Sequence, residues 1–224
     1  MKLNMSMDAL AALNEEQRAA AAETEGAVLI FAGAGSGKTR VLTHRVAHLL
    51  ALGKAPAHKI LAVTFTNKAA GELRSRLAQL VGAGAHGLWV GTFHSIGVRI
   101  LRRDGISVGV GPNFVIYDET DQRALIREIL RDLNLDERHY PPGGIIAQIS
   151  RSKERCEDAS TFADTADGHL SKTIASIYLE YEKRLAKANA LDFDDLIMRT
   201  LALLERDDDL ARHYQHRFAY VLVD

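Results

Sequence analysis

Eight residues near the amino terminus, Ala32-Gly33-Ala34-Gly35-Ser36-Gly37-Lys38-Thr39, indicate the fold more strongly than any other stretch of the chain. They fit the Walker A pattern, with one departure, because Ala32 stands where the strict pattern has glycine. Glycines in such a loop let backbone N–H groups converge on phosphate oxygens, and the following helix favours anions at its amino end. The Lys38 ammonium would reach the β- and γ-phosphates, and the Thr39 hydroxyl would bind Mg²⁺. The pattern predicts nucleotide binding rather than a plain glycine-rich turn.

Short apolar runs, rich in β-branched and aromatic residues, occur on both sides of this loop. Runs that are apolar on both faces are typical of buried parallel strands. We predict strands at residues 27–32, 60–65, 88–93, 114–117 and 220–223. A helix should follow Lys38 and end near Gly53, and another should run from an Asn67 N-cap to about Leu80. Alternating strands and helices predict an α/β fold with a parallel sheet.

The pattern changes between about Asp118 and Leu204, where helical stripes replace the strand pattern. Apolar stripes recur at helical spacing within 125–133, 170–185 and 191–201, and the run Pro141 to Gly144 predicts a break. No convincing strand is evident in this stretch. We predict that residues 118–189 form an inserted helical subdomain, while residues 1–117 and 190–224 form the domain that carries the sheet.

Composition and charge limit how the chain can bind nucleic acid. The 224 residues include 28 Lys and Arg against 29 Asp and Glu, which gives a formal net charge of -1. Any nucleic-acid binding must therefore come from a local patch or from aromatic stacking, since the global field supplies no attraction. No apolar stretch approaches the ~18 residues that a transmembrane helix needs. A single cysteine fits a reducing, cytoplasmic compartment.

An acid on a second strand is needed to hold the metal beside a Walker A loop. The apolar run that starts at Tyr220 ends in Asp224, which is the shape of a Walker B strand. We therefore predict that Asp224 and Thr39 hold Mg²⁺ and that Lys38 and Asp224 are the catalytic residues. Four further sequence segments narrow the class of protein, and they are residues 13–18, 65–70, 91–95 and 191–197.

Together with the Walker A loop, these segments resemble superfamily 1 DNA helicases of the UvrD/Rep type, from about Leu13 to Asp224. The resemblance implies a P-loop NTPase fold: a first RecA-like motor domain with an inserted helical subdomain, truncated at the Walker B strand. It implies ATP and Mg²⁺ as cofactors. It also implies single-stranded DNA, duplex junctions and a second RecA-like domain as partners, and 3′→5′ translocation that unwinds duplex in DNA repair. A helicase–nuclease motor subunit and a non-motor nucleotide-binding switch remain open.

The resemblance also implies roles for individual residues. Gln17 would read adenine, and Arg40 would contact the nucleotide base beside the phosphate loop. The residues implied to contact DNA are Phe65, Thr66, Asn67, Thr92, His94 and Phe193. An aromatic ring offers a sequence-blind stacking platform worth ~1–3 kcal/mol per base.

Several of these residues have an ordinary structural explanation as well. Phe65 and Phe193 are either core side chains or stacking platforms, and Asn67 serves equally well as a helix N-cap. His94 is by default a polar loop residue. The carboxylates of Asp192, Asp194 and Asp195 imitate a metal cluster, but helix capping and solvation explain them more simply.

The resemblance places a glutamate that polarises the attacking water after Asp224, and transition-state arginines in the second motor domain. Such arginines are worth ~10³–10⁵ in rate. We therefore expect the 224-residue polypeptide by itself to be nearly inactive as an ATPase and unable to unwind duplex.

Overall fold

The computed structural model describes residues 9–33 and 35–224, so Ala34 of the predicted phosphate loop lies outside the described residues. The helices are α1 (Glu15–Ala22), α2 (Lys38–Ala51), α3 (Asn67–Val81), α4 (Phe93–Asp104), α5 (Glu119–Asp132), α6 (Pro142–Glu154), α7 (Ala159–Thr165), α8 (Gly168–Lys187), α9 (Asp195–Arg206) and α10 (Asp208–Arg217). The strands are β1 (Ile60–Thr64), β2 (Trp89–Thr92), β3 (Val115–Ile116), β4 (Ala190–Leu191) and β5 (Tyr220–Val223). Short 3₁₀ turns span Ala57–Lys59, Gly82–Ala85 and Gly105–Val108. Within the described ranges, no helix has the length and apolar character that a membrane crossing demands.

Three parallel strands form the main sheet, in the order β2-β1-β5. The central strand β1 pairs Leu61 with Trp89 of β2 on one side and with Val221 of β5 on the other. All five residues of β1 are buried, as expected for a strand that is covered on both faces. The predicted strands at 60–65, 88–93 and 220–223 are confirmed, and so is the α/β class.

The predicted strand at 27–32 is wrong. These residues pair with no strand in the described part of the chain, and the side chains of Leu29 and Phe31 are 78% and 90% exposed. Residues 24–30 and residues 219–224 line one cavity of about 890 Å³. A parallel strand gains its hydrogen bonds from a neighbouring strand, and this run forms no ladder with β5, which lines the other side of the same cavity. The apolar pattern alone therefore does not make a strand here.

The chain divides into two compact units, and the first runs to Ile96 and resumes at Asp208–Asp224. In this unit α2 and α3 contribute apolar side chains to a core shared with the sheet: Leu42, Val46, Leu49, Leu73, Leu77, Ile60, Ala62 and Leu222. The predicted end of the second helix is confirmed, because Gly53 has φ +66° and its N–H donates to Leu50. The N-cap of α3 is Thr66 rather than Asn67, because the Thr66 hydroxyl accepts from the Ala69 N–H.

The second unit, Gly97–Asp207, is mostly helical. Residues of α5, α6 and α8 form its core: Ile126, Ile129, Leu130, Ile145, Ile149, Ile177, Tyr178, Tyr181 and Leu185. The stripes at 125–133 and 170–185 are confirmed as α5 and α8. The third stripe, at 191–201, is confirmed from Asp195, where α9 begins.

Three expectations for the second unit need correction. The strand predicted at 114–117 is only two residues long and pairs with β4 instead of joining the main sheet. The strand β4 lies where no strand was expected. The predicted break ends at Pro141, three residues earlier than expected, because α6 begins at Pro142, whose missing N–H has no intrahelical acceptor at a first helical position.

Candidate functional site

The glycine-rich loop leads directly into α2, as the motif predicts. Gly35 and Gly37 have φ values of +77° and +90°, a region that side-chain-bearing residues rarely adopt. The Ser36 hydroxyl and N–H both donate to the Gly33 carbonyl oxygen, at 2.7 and 3.3 Å, and so close the turn. The amino end of the 14-residue helix α2 opens at this loop, where backbone N–H groups and the helix dipole favour an anion.

The Lys38 ammonium lies over its own loop. Its Nζ atom donates to the carbonyl oxygens of Ala32 at 3.0 Å and Gly33 at 2.9 Å. Both bonds have an ionised donor and are therefore charge-assisted. In this structure the ammonium therefore contacts the carbonyl oxygens of its own loop.

The two residues predicted to hold Mg²⁺ are in direct contact. The Thr39 hydroxyl donates to Oδ2 of Asp224 at 2.7 Å, across 185 residues of sequence. Pairing of β5 with β1 brings this about, and the Asp224 N–H donates to the Val63 carbonyl at 2.9 Å. A hydroxyl and a carboxylate are hard oxygen donors of the kind that Mg²⁺ prefers, so the donor set fits the metal.

Gln17 braces the phosphate loop from α1. Its side-chain amide donates to the Ser36 carbonyl at 2.9 Å, and a Cβ built on Gly37 would lie 2.8 Å from the same nitrogen. A capping box with Asn14 fixes the backbone of Gln17. The Arg40 guanidinium donates to the Ala12 carbonyl at 2.6 Å. Gln17 therefore contacts the loop from α1, and Arg40 contacts the segment that precedes α1.

The residues predicted to contact DNA in the first unit follow the carboxyl ends of adjacent strands. Phe65, Thr66 and Asn67 come after β1, and Thr92 and His94 lie at the end of β2. Asp224 follows β5 in the same way, so the sheet brings the phosphate-loop partner and these residues to one edge. This edge is where open α/β sheets bind their ligands.

Exposure separates these residues into two kinds. The Phe65 ring is 73% exposed and is therefore not a core side chain, and Asn67 is exposed at the first turn of α3. Thr92 is buried, and its hydroxyl accepts from the Ser95 N–H at 3.2 Å while the Ser95 hydroxyl accepts from the Thr92 N–H at 2.8 Å. The Thr92 side chain thus builds the turn in which His94 is half-buried.

Phe93 is a candidate that the sequence analysis missed. Its ring is 39% exposed and lies 5.5 Å from the Phe65 ring, centroid to centroid, at an interplanar angle of 49°. The two rings form one aromatic surface at the tips of β1 and β2. The available signal was the position of Phe93 directly after an apolar strand, the same position that Phe65 has.

In the second unit, Phe193 lies in the turn between β4 and α9 and is 54% exposed. Its neighbours Asp192 and Asp195 are buried, so the expectation that these carboxylates are solvated is wrong. The N-cap of α9 is Asp194, whose side chain makes no capping hydrogen bond. The turn before the helix is closed instead by reciprocal bonds, because the Asp195 N–H donates to Asp192 Oδ1 at 2.9 Å and the Asp192 N–H donates to Asp195 Oδ2 at 3.2 Å. Burial raises the pKa of Asp194 above its ordinary value.

A buried lysine that the sequence analysis missed lies among these carboxylates. Lys153 Nζ is 2.7 Å from Asp192, 2.7 Å from Glu182 and 2.9 Å from Asp195. The ammonium fills the space that a cation would need between the three carboxylates. Burial raises the pKa of Asp195 to about 7, although the nearby ammonium opposes that shift.

Comparison with known proteins gives one family. Residues 13–224 match the family model described as the UvrD/REP helicase N-terminal domain. The chain is 44% identical over 220 residues to a Bacillus subtilis (strain 168) protein named ATP-dependent DNA helicase PcrA, covering 98% of this chain and 30% of that protein. Proteins of the same name from Staphylococcus aureus (strain Mu50) and Staphylococcus epidermidis are 45% identical over 212 residues, covering 95% of this chain and 29% of each relative.

Proposed function

The chain belongs to the UvrD/REP helicase family, and from this we propose that it is the ATP-binding part of an ATP-dependent DNA helicase. The chain spans about 30% of the length of the curated relatives that it matches, so the activity of a whole protein is part of the proposal. The single observation that carries the proposal is the 2.7 Å contact between Thr39 and Asp224, which joins the phosphate loop to the last strand.

We assign the P-loop motor role to residues 1–117 and 190–224, and we assign residues 118–189 to an inserted helical subdomain. The loop from Ala32 to Thr39 holds the phosphates of ATP through backbone N–H groups and the Lys38 ammonium. Thr39 and Asp224 hold Mg²⁺, which neutralises charge on the phosphates. Gln17 and Arg40 contact the base, since both lie against the segment that borders the loop.

Single-stranded DNA is the proposed second ligand of the same sheet edge. The paired rings of Phe65 and Phe93 offer bases an exposed aromatic surface that does not depend on sequence. Thr66, Asn67 and His94, with the amino end of α3, supply polar groups suited to backbone phosphates. A net charge of -1 supplies no general attraction, so stacking must contribute a large share of the binding free energy.

In the whole protein, ATP binding would close a cleft against a second RecA-like domain, and hydrolysis would reopen it. Alternating grip on one strand converts these steps into translocation. Following the family resemblance, we assign 3′→5′ polarity, duplex unwinding in DNA repair and a cytoplasmic location.

A binding experiment on the 224-residue chain tests this proposal. A fluorescent ATP analogue in the presence of Mg²⁺ reports nucleotide affinity, and a labelled (dT)16 oligonucleotide reports single-strand affinity by anisotropy. Lys38→Ala should weaken nucleotide binding at least ~10-fold, equivalent to ~1.4 kcal/mol, and leave binding to (dT)16 without nucleotide unchanged. Lys172→Ala, an exposed lysine on α8, is the matched control and should change neither affinity.

Two results would contradict the proposal. A wild-type chain that does not bind the nucleotide analogue would remove the ATP-binding role. A chain that binds the analogue but shows no affinity for (dT)16, with or without nucleotide, would favour a nucleotide-binding switch over a motor.

A further inference from the structure

The turn that carries Phe193 has an exposed ring between two buried anchors. Phe193 is 54% exposed, whereas Asp192 and Asp195 on either side are 2% and 0% exposed. The reciprocal hydrogen bonds between these two aspartates close the turn and leave the intervening ring outside it. Whatever fixes the two carboxylates therefore also fixes the backbone of the turn from which the ring projects.

The carboxylates are fixed by a buried ionic cluster, which we call the Lys153 cluster and define as Lys153, Glu182, Asp192, Asp195 and Arg199. The Lys153 side chain is 0% exposed, comes from α6, and contacts all three carboxylates within 2.9 Å. Arg199 of α9 donates to the second oxygen of Glu182 at 2.7 Å. The cluster thus ties two long helices, α6 and α8, to the turn.

A tyrosine of α8 adds a further bond to the same anchor. The Tyr181 hydroxyl, buried with its ring, donates to Asp192 Oδ2 at 3.1 Å, the atom that Lys153 also contacts at 2.7 Å. The Lys153 bond has the length of a charge-assisted hydrogen bond, and the Tyr181 bond is longer. Asp192 is therefore held from the α6 side and from the α8 side at once.

Stability alone is a poor explanation for such a cluster. Replacing a buried ionic group by well-packed apolar side chains is often neutral or stabilising, because desolvation offsets much of the attraction. What buried ion pairs can supply instead is one defined geometry. In the second unit, the geometry that the Lys153 cluster defines is that of the turn around Phe193.

We propose that Lys153 is a positioning residue for single-stranded DNA, which acts by clamping the Asp192–Asp195 turn so that the Phe193 ring is held outward for base stacking. The inference rests on the proposed function, since it takes Phe193 as a base contact. A ring that is already oriented loses less conformational freedom when a base stacks on it, and so binds more tightly. Lys153 itself touches no base.

Lys153→Met tests the inference, because methionine keeps an unbranched apolar stem and removes the ammonium. Affinity for labelled (dT)16 is measured for the wild type, Lys153→Met, Phe193→Ala and the double variant. Phe193→Ala should weaken binding ~5- to 150-fold, the loss of one stacked base. Lys153→Met should weaken it in the same range, and the double variant should be no weaker than Phe193→Ala, because both changes remove one contact. Lys172→Met on exposed α8 surface is the matched control and should bind as the wild type does.

A second readout follows the ring directly and does not depend on DNA. In a Trp89→Phe background, Phe193→Trp places the chain's only tryptophan in the turn, since the sequence has one Trp. Adding Lys153→Met should raise the mobility of that tryptophan, seen as lower steady-state anisotropy. If Lys153→Met does not fold, Lys153→Met with Asp195→Asn removes one carboxylate together with the ammonium and repeats both measurements.

The outcomes separate the inference from the function on which it rests. If Phe193→Ala binds (dT)16 like the wild type, the base contact fails, and the positioning role fails with it. If Phe193→Ala is weakened but a folded Lys153→Met chain is not, the positioning role alone is wrong. Additive losses in the double variant, or an unchanged tryptophan anisotropy, would also overturn it, because Lys153 would then act elsewhere.

Discussion

Replacing Phe65 by alanine separates stacking from packing at the edge of the sheet. The ring is 73% exposed, so roughly a quarter of the ~200 Å² of a phenylalanine side chain is buried. At ~25 cal/mol per Å² this burial corresponds to about 1.3 kcal/mol of folding free energy. Part of that sum is the contact with the Phe93 ring, 5.5 Å away between centroids. Phe65→Ala should therefore leave a folded chain of slightly lower stability.

The effect of Phe65→Ala on DNA affinity should be larger than its effect on stability, and it should not depend on the DNA sequence. Loss of one stacked base costs ~1–3 kcal/mol of binding free energy, which raises the dissociation constant ~5- to 150-fold. Anisotropy with (dT)16 and with a mixed-sequence oligonucleotide of equal length should show the same loss for both. Circular dichroism and thermal melting check the fold in parallel.

The matched control is Leu52→Ala, which truncates a 54% exposed apolar side chain of the same unit at the far end of α2. It should leave both oligonucleotide affinities unchanged. Unchanged affinity in Phe65→Ala would refute the stacking argument. So would a loss that follows only the fraction of unfolded chain, since Phe65 would then act through packing.

Three further predictions concern the loop and the buried acid. Thr39→Ala should remove the gain in nucleotide affinity that Mg²⁺ gives over EDTA, while Thr39→Ser keeps it; a persistent Mg²⁺ effect would contradict the metal assignment. Gly37→Ala should lower the free energy of unfolding by ~1–2 kcal/mol in thermal melting and weaken nucleotide binding, because φ is +90° and the new Cβ meets Gln17. The control Gly71→Ala, which adds a Cβ in open space on α3, should do neither. Equal melting of the two variants would refute the strain at Gly37. Because the folded-state pKa of Asp195 is raised from 3.8 to about 7, its contribution to the free energy of unfolding is present at pH 4 and falls as pH rises to 7. Urea unfolding at pH 5 and pH 8 should show a smaller difference for Asp195→Asn than for the wild type, and an equal difference would contradict the shift.

Local patterns in the sequence predicted the three strands of the main sheet, each of which pairs with another strand in the described part of the chain. Strand β1 was evident because all five residues are apolar or β-branched, and it has a neighbour on each side. The run at 27–32 has the same apolar character but pairs with no strand in the described part of the chain. Strand formation depends on pairing, and pairing is not written in one segment. Strand β4 was missed for the related reason that two residues carry no periodic pattern.

The candidate site was predictable from the sequence where recognisable motifs carry it, and not where the burial of a charged side chain decides it. The contact between Thr39 and Asp224 follows from two recognisable motifs. Lys153, in contrast, belongs to the polar-looking run 150–155, and its partners Glu182 and Asp192 are distant in sequence. A charged residue in such a run predicts a solvated helix face, and only the folded structure places it inside.

The edge of β5 that faces away from β1 affects how these 224 residues will behave in a concentrated sample. Val221 and Val223 are 58% and 55% exposed, and β5 pairs only with β1 in the described part of the chain. A strand edge with unpaired backbone groups and exposed apolar side chains is a template for edge-to-edge aggregation. Aggregation during purification should therefore begin at this edge rather than in the helical unit. Val221→Lys is the simplest substitution to prevent it, because it places a charge on the exposed edge.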